Sequence, residues 1–313
     1  MGINKEKKMA IKTVSIIGLG ALGVLYGHHL AMNMPLDNLR IIADVDRIKR
    51  YKRDKIYCNH EVVDFNYMTP QTFCTPADLV IFAVKYKDLK DAIEAVKHQV
   101  GDQTILLSTL NGINSEGEIG SIYGMEKMLY CVAQGMDALK INNELTYSNQ
   151  GILCFGDIEA GQPSEKTMEV AKFFESVALP YEVEKDMKHR MWGKFMTNVG
   201  VNQTIAYFEG DFSTIQKYGP EREMMVSAMR EVMILAKYED VHLSEEDLTY
   251  WLRVLDTLNP TGRPSTRQDM EAKRTSEVDL FAGTVISLGK KHQIETPINQ
   301  ILYDRIKYYE SLF

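Results

Sequence analysis

The sequence contains no Cys-x-x-Cys pair. Its four cysteines, Cys58, Cys74, Cys131 and Cys154, are scattered, which excludes a disulfide framework and gives no metal-ligand spacing. They read as free thiols of a reducing cytoplasm, and no metal site is expected. No stretch approaches the roughly 18 consecutive apolar residues of a membrane span. Basic excess is also lacking. The net charge is −7, which argues against a nucleic-acid partner and means that an anionic substrate needs local cations. Residues 1–12 carry Lys5, Lys7, Lys8 and Lys12. The apolar run that follows is split by glycines and has no small-residue cleavage site, so it does not read as a signal peptide. The first ten residues are expected to be a loose tail. No internal repeat or low-complexity linker interrupts the 313 residues, a length that suits two domains.

What is present begins with Val14-Ser15-Ile16-Ile17 followed by Gly18-Leu19-Gly20-Ala21-Leu22-Gly23. An apolar β-type run, a G-x-G-x-x-G turn and a helical pattern form the dinucleotide-binding signature. Gly18 suits the tight turn, Gly20 a close approach of pyrophosphate to the backbone, and Gly23 close helix–strand packing. The free N–H groups and dipole of the helix start would hold phosphate. A second strand, 39–43, ends at Asp44, about twenty positions after Gly23, where an acidic residue meets the adenosine ribose. A carboxylate there accepts both ribose hydroxyls and repels a 2′-phosphate. Asp44 also suits the N-cap of a basic helix at 47–55, and both readings can hold. Arg47, Lys49 and Arg50 read as solvated charges on that helix; a 2′-phosphate cradle is the other reading.

Further on, 61–65 predicts a short strand, 79–84 a strand buried on both faces, 87–100 a helix and 103–107 another buried strand. Alternation of this kind predicts a parallel doubly wound sheet. Its ligands sit at the carboxyl ends of strands, where Lys85 and Asn111 fall. Strands at 128–135, 145–148 and 152–156 read as antiparallel additions, followed by a helix at 164–177 and a strand at 180–183. From 185 onward the pattern is helical: 185–201, 220–239, 244–258, 275–291 and 297–312. The expectation is therefore an α/β protein: a Rossmann-type N-terminal domain, residues 1–185, and an all-α C-terminal domain, residues 186–313, with a cleft between them. Apolar residues on the long C-terminal helices form either core or a homodimer face.

The first long helix of the second domain carries Lys194, Asn198 and Asn202 at i, i+4 and i+8, hence on one face. Asparagine is a poor helix former, and the residues around this stripe are apolar or small. One lysine and two amides there read as the lining of a polar pocket. Beyond it, 259–266 is a Pro/Gly loop that leads to Gln268, Asp269 and a helix containing Glu277. Ser265 and Glu277 alone read as a helix N-cap and a surface carboxylate.

These pieces, taken in order, resemble the ketopantoate reductases (2-dehydropantoate 2-reductases) over nearly the whole length. They are Gly18–Gly23, Val84-Lys85, Asn111-Gly112, the Trp192-Gly193-Lys194 start of the stripe that ends at Asn202, and Pro264-Ser265 with Gln268-Asp269 and Arg274 to Asp279. The resemblance implies hydride transfer from NAD(P)H to the keto carbon of a small 2-keto acid, ketopantoate, to give pantoate for pantothenate biosynthesis. Lys194 is then the proton donor. A lysine ammonium of ordinary pKa, about 10.4, starts in the right form and stabilises charge developing on the carbonyl oxygen. The resemblance also places Asn198, Asn202 and Ser265 on the substrate's hydroxyl and carboxylate, and Asn111 on both substrate and nicotinamide ribose. Glu277 is implied to contact the cofactor, and Lys85 to line its edge.

Two departures stand out. The family usually prefers NADP(H), often with an arginine near the end of the second strand. Asp44 occupies that place here and favours NAD(H). The segment 203–212 is aromatic and acidic and lacks the further substrate amide of some members. An NADH-dependent D-2-hydroxyacid dehydrogenase of the same fold, acting on another 2-keto acid, is the alternative. A non-catalytic dinucleotide sensor is the reading from a different class, and such a sensor has no need of the Lys194 stripe.

Overall fold

The computed structural model describes residues 10–313; the tail expected over the first ten residues lies, but for Ala10, outside them. By their contacts these residues form two compact units. One takes the chain to Leu110 and then Asn114–Met187, and the other takes Asn111–Ile113 and Lys188–Phe313.

The first unit runs β1 (Val14–Ile17), α1 (Ala21–Asn33), β2 (Leu39–Ile42), α2 (Val45–Asp54), β3 (Ile56–Cys58), β4 (Glu61–Val63), β5 (Tyr67–Met68), β6 (Leu79–Phe82), α3 (Leu89–Ala95), β7 (Ile105–Ser108), α4 (Ser115–Tyr123), β8 (Met128–Gln134), β9 (Leu139–Ile141), β10 (Glu144–Thr146), β11 (Ile152–Gly156), α5 (Glu165–Ser176) and β12 (Tyr181–Val183). Eight strands form one sheet in the order β12-β11-β8-β7-β6-β1-β2-β5. β5, β2, β1, β6, β7 and β8 are parallel, as is β12 to β11. The chain leaves β1 for β2 on one side and later places β6 on the other. β1 and β6 therefore flank the switch point where such sheets bind ligands. β1, β6 and β7 are buried along their whole length, as their continuous apolar runs predict. Alternate residues feed separate cores. Ile16, Ile41, Ile81 and Leu107 pack with α1 and α5 residues such as Val24, Leu25 and Phe174. Ile17, Ile42, Val80 and Leu106 pack with Leu89 and Ile93 of α3 and Ile119 of α4.

The second unit is helical: α6 (Met187–Tyr207), α7 (Phe212–Gln216), α8 (Pro220–Tyr238), α9 (Glu245–Asp256), α10 (Ser265–Glu271), a π-helical turn at Asp279–Gly283, α11 (Thr284–His292) and α12 (Pro297–Glu310). Two glycines of α6 permit close helix packing. A Cβ at Gly193 would lie 3.0 Å from the Trp251 ring nitrogen, and one at Gly200 would lie 2.4 Å from Met229 Cγ. No helix among the described residues is long and apolar enough to cross a membrane.

Several expectations are corrected. β8 pairs parallel with β7, not antiparallel, because the intervening α4 supplies the crossover that parallel neighbours require; two glycines and two serines in its nine residues hid this helix. Only β11 adds to β8 antiparallel. β10 leaves the main sheet and joins a small one in the order β4-β3-β10-β9, whose β3 and β9 are not among the strands predicted from the sequence. The helix expected over 87–100 ends at Ala95. Glu277 stands in a bend two residues before the π turn, outside any helix, and Pro264, not Ser265, occupies the N-cap of α10.

Candidate active site

The glycine turn lies at the carboxyl end of β1. Gly18 has φ +97°, and a Cβ there would lie 2.6 Å from the Ala83 carbonyl oxygen; a Cβ on Gly23 would lie 1.8 Å from the Gly18 carbonyl oxygen. Both positions are closed to side chains by the protein itself. Gly20 differs. Its nearest neighbour would be the Ala83 carbonyl at 3.6 Å, an ordinary contact, and it is exposed. Packing does not require glycine there, and the open backbone leaves room for a phosphate. Gly20 is the N-cap of α1 and offers no side-chain cap, so the N–H groups of Ala21, Leu22 and Gly23 begin the helix without a capping oxygen. This is the donor set a pyrophosphate needs. Leu19 is buried beneath the turn. The residues present therefore fit a dinucleotide.

Asp44 follows β2 at the same edge. Its carboxylate accepts the Arg47 backbone N–H at 2.7 Å and caps α2. Its second oxygen lies 3.3 Å from the Arg47 guanidinium, and both side chains are about half exposed, 56% and 50%. Lys85, half-buried, follows β6 and precedes a short 3-10 turn.

In the second unit a polar chain is assembled from three distant segments. Lys194 Nζ, on α6, donates to Asn111 Oδ1 at 3.1 Å. Asn111 Nδ2 donates to Glu277 Oε2 at 3.2 Å. The partners fix which way the Asn111 amide points. An ammonium only donates, so it faces the carbonyl; a carboxylate only accepts, so it faces the NH2. All three side chains are half-buried, where water screens such contacts less than at the surface. Asn198, half-buried, and Asn202, 7% exposed, continue the face of α6 that Lys194 begins. Ser265 is exposed at the first position of α10 and is not a member of this hydrogen-bonded chain.

The sequence assigns no site role to Gln203, the residue after Asn202, yet it is wholly buried and bonded to the segment after Glu277. The available signal was the continuation of polar residues, Gln203 and Thr204, into a part of the helix that is otherwise apolar.

Sequence models of one family match both parts of the chain. The one described as "Ketopantoate reductase PanE/ApbA" matches residues 14–160, and the one described as "Ketopantoate reductase PanE/ApbA C terminal" matches residues 186–310. Among similar proteins, the 2-dehydropantoate 2-reductase of Streptococcus pyogenes serotype M1 is 25% identical over 309 residues, covering 96% of this chain and 98% of the relative. That of Aquifex aeolicus is 23% identical over 305 residues, covering 93% and 95%. Among solved structures, a D-mandelate dehydrogenase in complex with NADH superposes with a TM-score of 0.85 at 19% identity, covering 96% and 99%. A PanE/ApbA family ketopantoate reductase from Ralstonia eutropha reaches 0.81 at 22% identity, covering 96% and 98%. At these identities the superpositions speak for the fold. The sequence matches decide membership: this chain belongs to the ketopantoate reductase family, a family of nicotinamide-dinucleotide oxidoreductases.

Proposed function

We propose that this protein reduces ketopantoate to pantoate with NAD(P)H, and that Lys194 gives the proton. The observation that carries this reading is the Lys194–Asn111–Glu277 chain at the head of a helix face that continues with Asn198 and Asn202. A sensor that only binds dinucleotide has no use for it. We assign residues 1–185 to dinucleotide binding and residues 186–313 to substrate and catalysis.

Gly18, Gly20 and Gly23, with the N–H groups of residues 19–23, would hold the pyrophosphate. Asp44 would take the adenosine ribose and Lys85 the edge of the dinucleotide. When bound, the reduced nicotinamide supplies the hydride. The Lys194 ammonium, oriented by the Asn111 carbonyl, meets the keto oxygen, stabilises the charge that builds there and transfers its proton as the alcohol forms. The C=O π bond breaks, a C–H and an O–H bond form, and water returns the proton to Lys194. Asn198 and Asn202 present amide donors and acceptors to the substrate's carboxylate and hydroxyl, and Ser265 adds a hydroxyl. Asn111 would also reach the nicotinamide ribose, and Glu277 the cofactor. General-acid help of this kind is worth about 10²–10⁴ in rate.

Asp44 favours NADH over NADPH, because its exposed carboxylate accepts ribose hydroxyls and repels a 2′-phosphate. The same observation supports a second reading, an NADH-dependent D-2-hydroxyacid dehydrogenase acting on another 2-keto acid. The test follows NADH and NADPH oxidation by purified protein with ketopantoate and a panel of 2-keto acids. Fastest turnover with ketopantoate is expected. Faster turnover with another keto acid selects the second reading, and no turnover with any overturns both. The exposed Ile301 and Tyr308 of the last helix fit a homodimer face, which sedimentation would reveal as a doubled mass.

A further inference from the structure

The turn that follows Glu277 departs from α-helical register. The Glu277 carbonyl accepts the N–H groups of both Leu280 and Phe281, each at 3.0 Å, and the Val278 carbonyl accepts that of Gly283 at 3.0 Å. The N–H of Ala282, a residue with no exposed surface, donates to the side-chain oxygen of Gln203 at 2.9 Å. A side chain of α6 thus supplies an acceptor to a buried backbone donor inside a π turn, a device that often marks functional segments.

The direction of this contact is set from a distance. Glu231, 8% exposed, presents a carboxylate that accepts from the backbone N–H groups of Ile298 and Asn299 and from Asn299 Nδ2 at 2.7 Å. The Asn299 NH2 also reaches the Ala228 carbonyl at 3.3 Å, so its amide oxygen faces the other way. That oxygen accepts from Gln203 Nε2 at 3.3 Å, and the same NH2 donates to the Val199 carbonyl at 2.8 Å. Gln203 has both donors engaged and must turn its oxygen to Ala282. Gln203 and Asn299 are wholly buried, where a misdirected amide would leave polar groups unpaired.

We propose that Gln203 is a positioning residue for the reduction: by anchoring the π turn it fixes Glu277, and through Glu277 the orientation of Asn111 and Lys194. Its neighbour Asn202 lies on the candidate substrate face, so two consecutive residues of α6 would serve substrate and scaffold. The inference rests on the functional reading above for its kinetic consequences, but not for the anchoring itself.

The test is a double-mutant cycle of Gln203→Met, Glu277→Gln and the pair, measured as kcat and KM for the keto acid. Gln203→Met keeps the side-chain length and removes the acceptor. It is expected to lower kcat about tenfold or more, the scale of a misplaced catalytic group, with a smaller change in KM. In the Glu277→Gln background it should have little further effect, because coupled sites are non-additive. Effects that multiply independently, or an unchanged kcat, overturn the proposal. Should Gln203→Met not fold, the cycle is run with Asn299→Ser, which leaves Gln203 in place but shortens the group that orients it, and the same criteria apply. Hydrogen exchange gives a readout free of activity: amides of residues 280–283 should exchange faster in Gln203→Met than in the parent. Unchanged exchange overturns the anchoring, whereas absent wild-type turnover with faster exchange overturns the functional reading alone.

Discussion

Asn111 and Lys194 stand 83 positions apart in the chain and meet at 3.1 Å, amide oxygen to ammonium. The contact holds the lysine's charge at a defined place with an acceptor that stays neutral. Lys194→Ala should therefore lose about 10²–10⁴ in kcat while dinucleotide binding, followed by quenching of protein fluorescence, is retained. Turnover at the parent rate would remove Lys194 from the proton-donor role.

Asp44 serves two physical roles that substitutions can separate. Asp44→Asn keeps an oxygen for the Arg47 N–H but removes the charge, so unfolding stability should stay near the parent's. The ratio of kcat/KM for NADH over NADPH should fall roughly fivefold, the effect of about 1 kcal/mol of charge repulsion screened as in bulk water. Asp44→Ala should shift the ratio likewise and also cost about 1 kcal/mol of stability by losing the cap. Urea titration and initial rates with both cofactors read the two effects apart.

Gly23→Ala places a methyl group 1.8 Å from the Gly18 carbonyl oxygen. The backbone must move, so the phosphate donors of residues 19–23 lose their arrangement. Loss of measurable dinucleotide affinity is expected, with a destabilisation of about 1–3 kcal/mol as for an overpacked core. Calorimetric titration and thermal unfolding check both, and an intact affinity would count against the turn as the pyrophosphate site.

Acid should destabilise the helical unit through two paired carboxylates, Asp247 and Glu239. Burial pushes the Asp247 carboxyl up, but bonds from the Ser244 N–H and hydroxyl and the nearby His189 ring outweigh it and leave it below its ordinary value of 3.8. Glu239 behaves alike: burial raises it, and Lys291 and His292 bring it below 4.5. A carboxyl depressed in the folded state binds its proton more readily when unfolded. Its stabilisation is present above the unfolded pKa and is lost as pH falls from there through the folded one. The urea midpoint should therefore drop below about pH 4, and Asp247→Asn should make that drop shallower.

Much of this protein is legible in its chain because it rests on local patterns. The apolar runs of β1, β6 and β7 need burial on both faces, which dictates a covered parallel sheet. The positive φ of Gly18 and the contact of Gly23 with the Gly18 carbonyl are matters of backbone geometry within six residues. The Lys194, Asn198 and Asn202 stripe follows from helical periodicity alone. What the sequence could not decide depended on partners distant in the chain. The crossover that makes β8 parallel runs through a glycine-containing helix with no clear periodic signal. The pairing of Lys194 with Asn111 and of Asn111 with Glu277 spans 83 and 166 positions. The orientation of the Gln203 amide is set by a carboxylate on α8 through a second amide on α12. Hydrogen-bond direction inside a dry core is a property of the assembled network, and only the tertiary structure decided it.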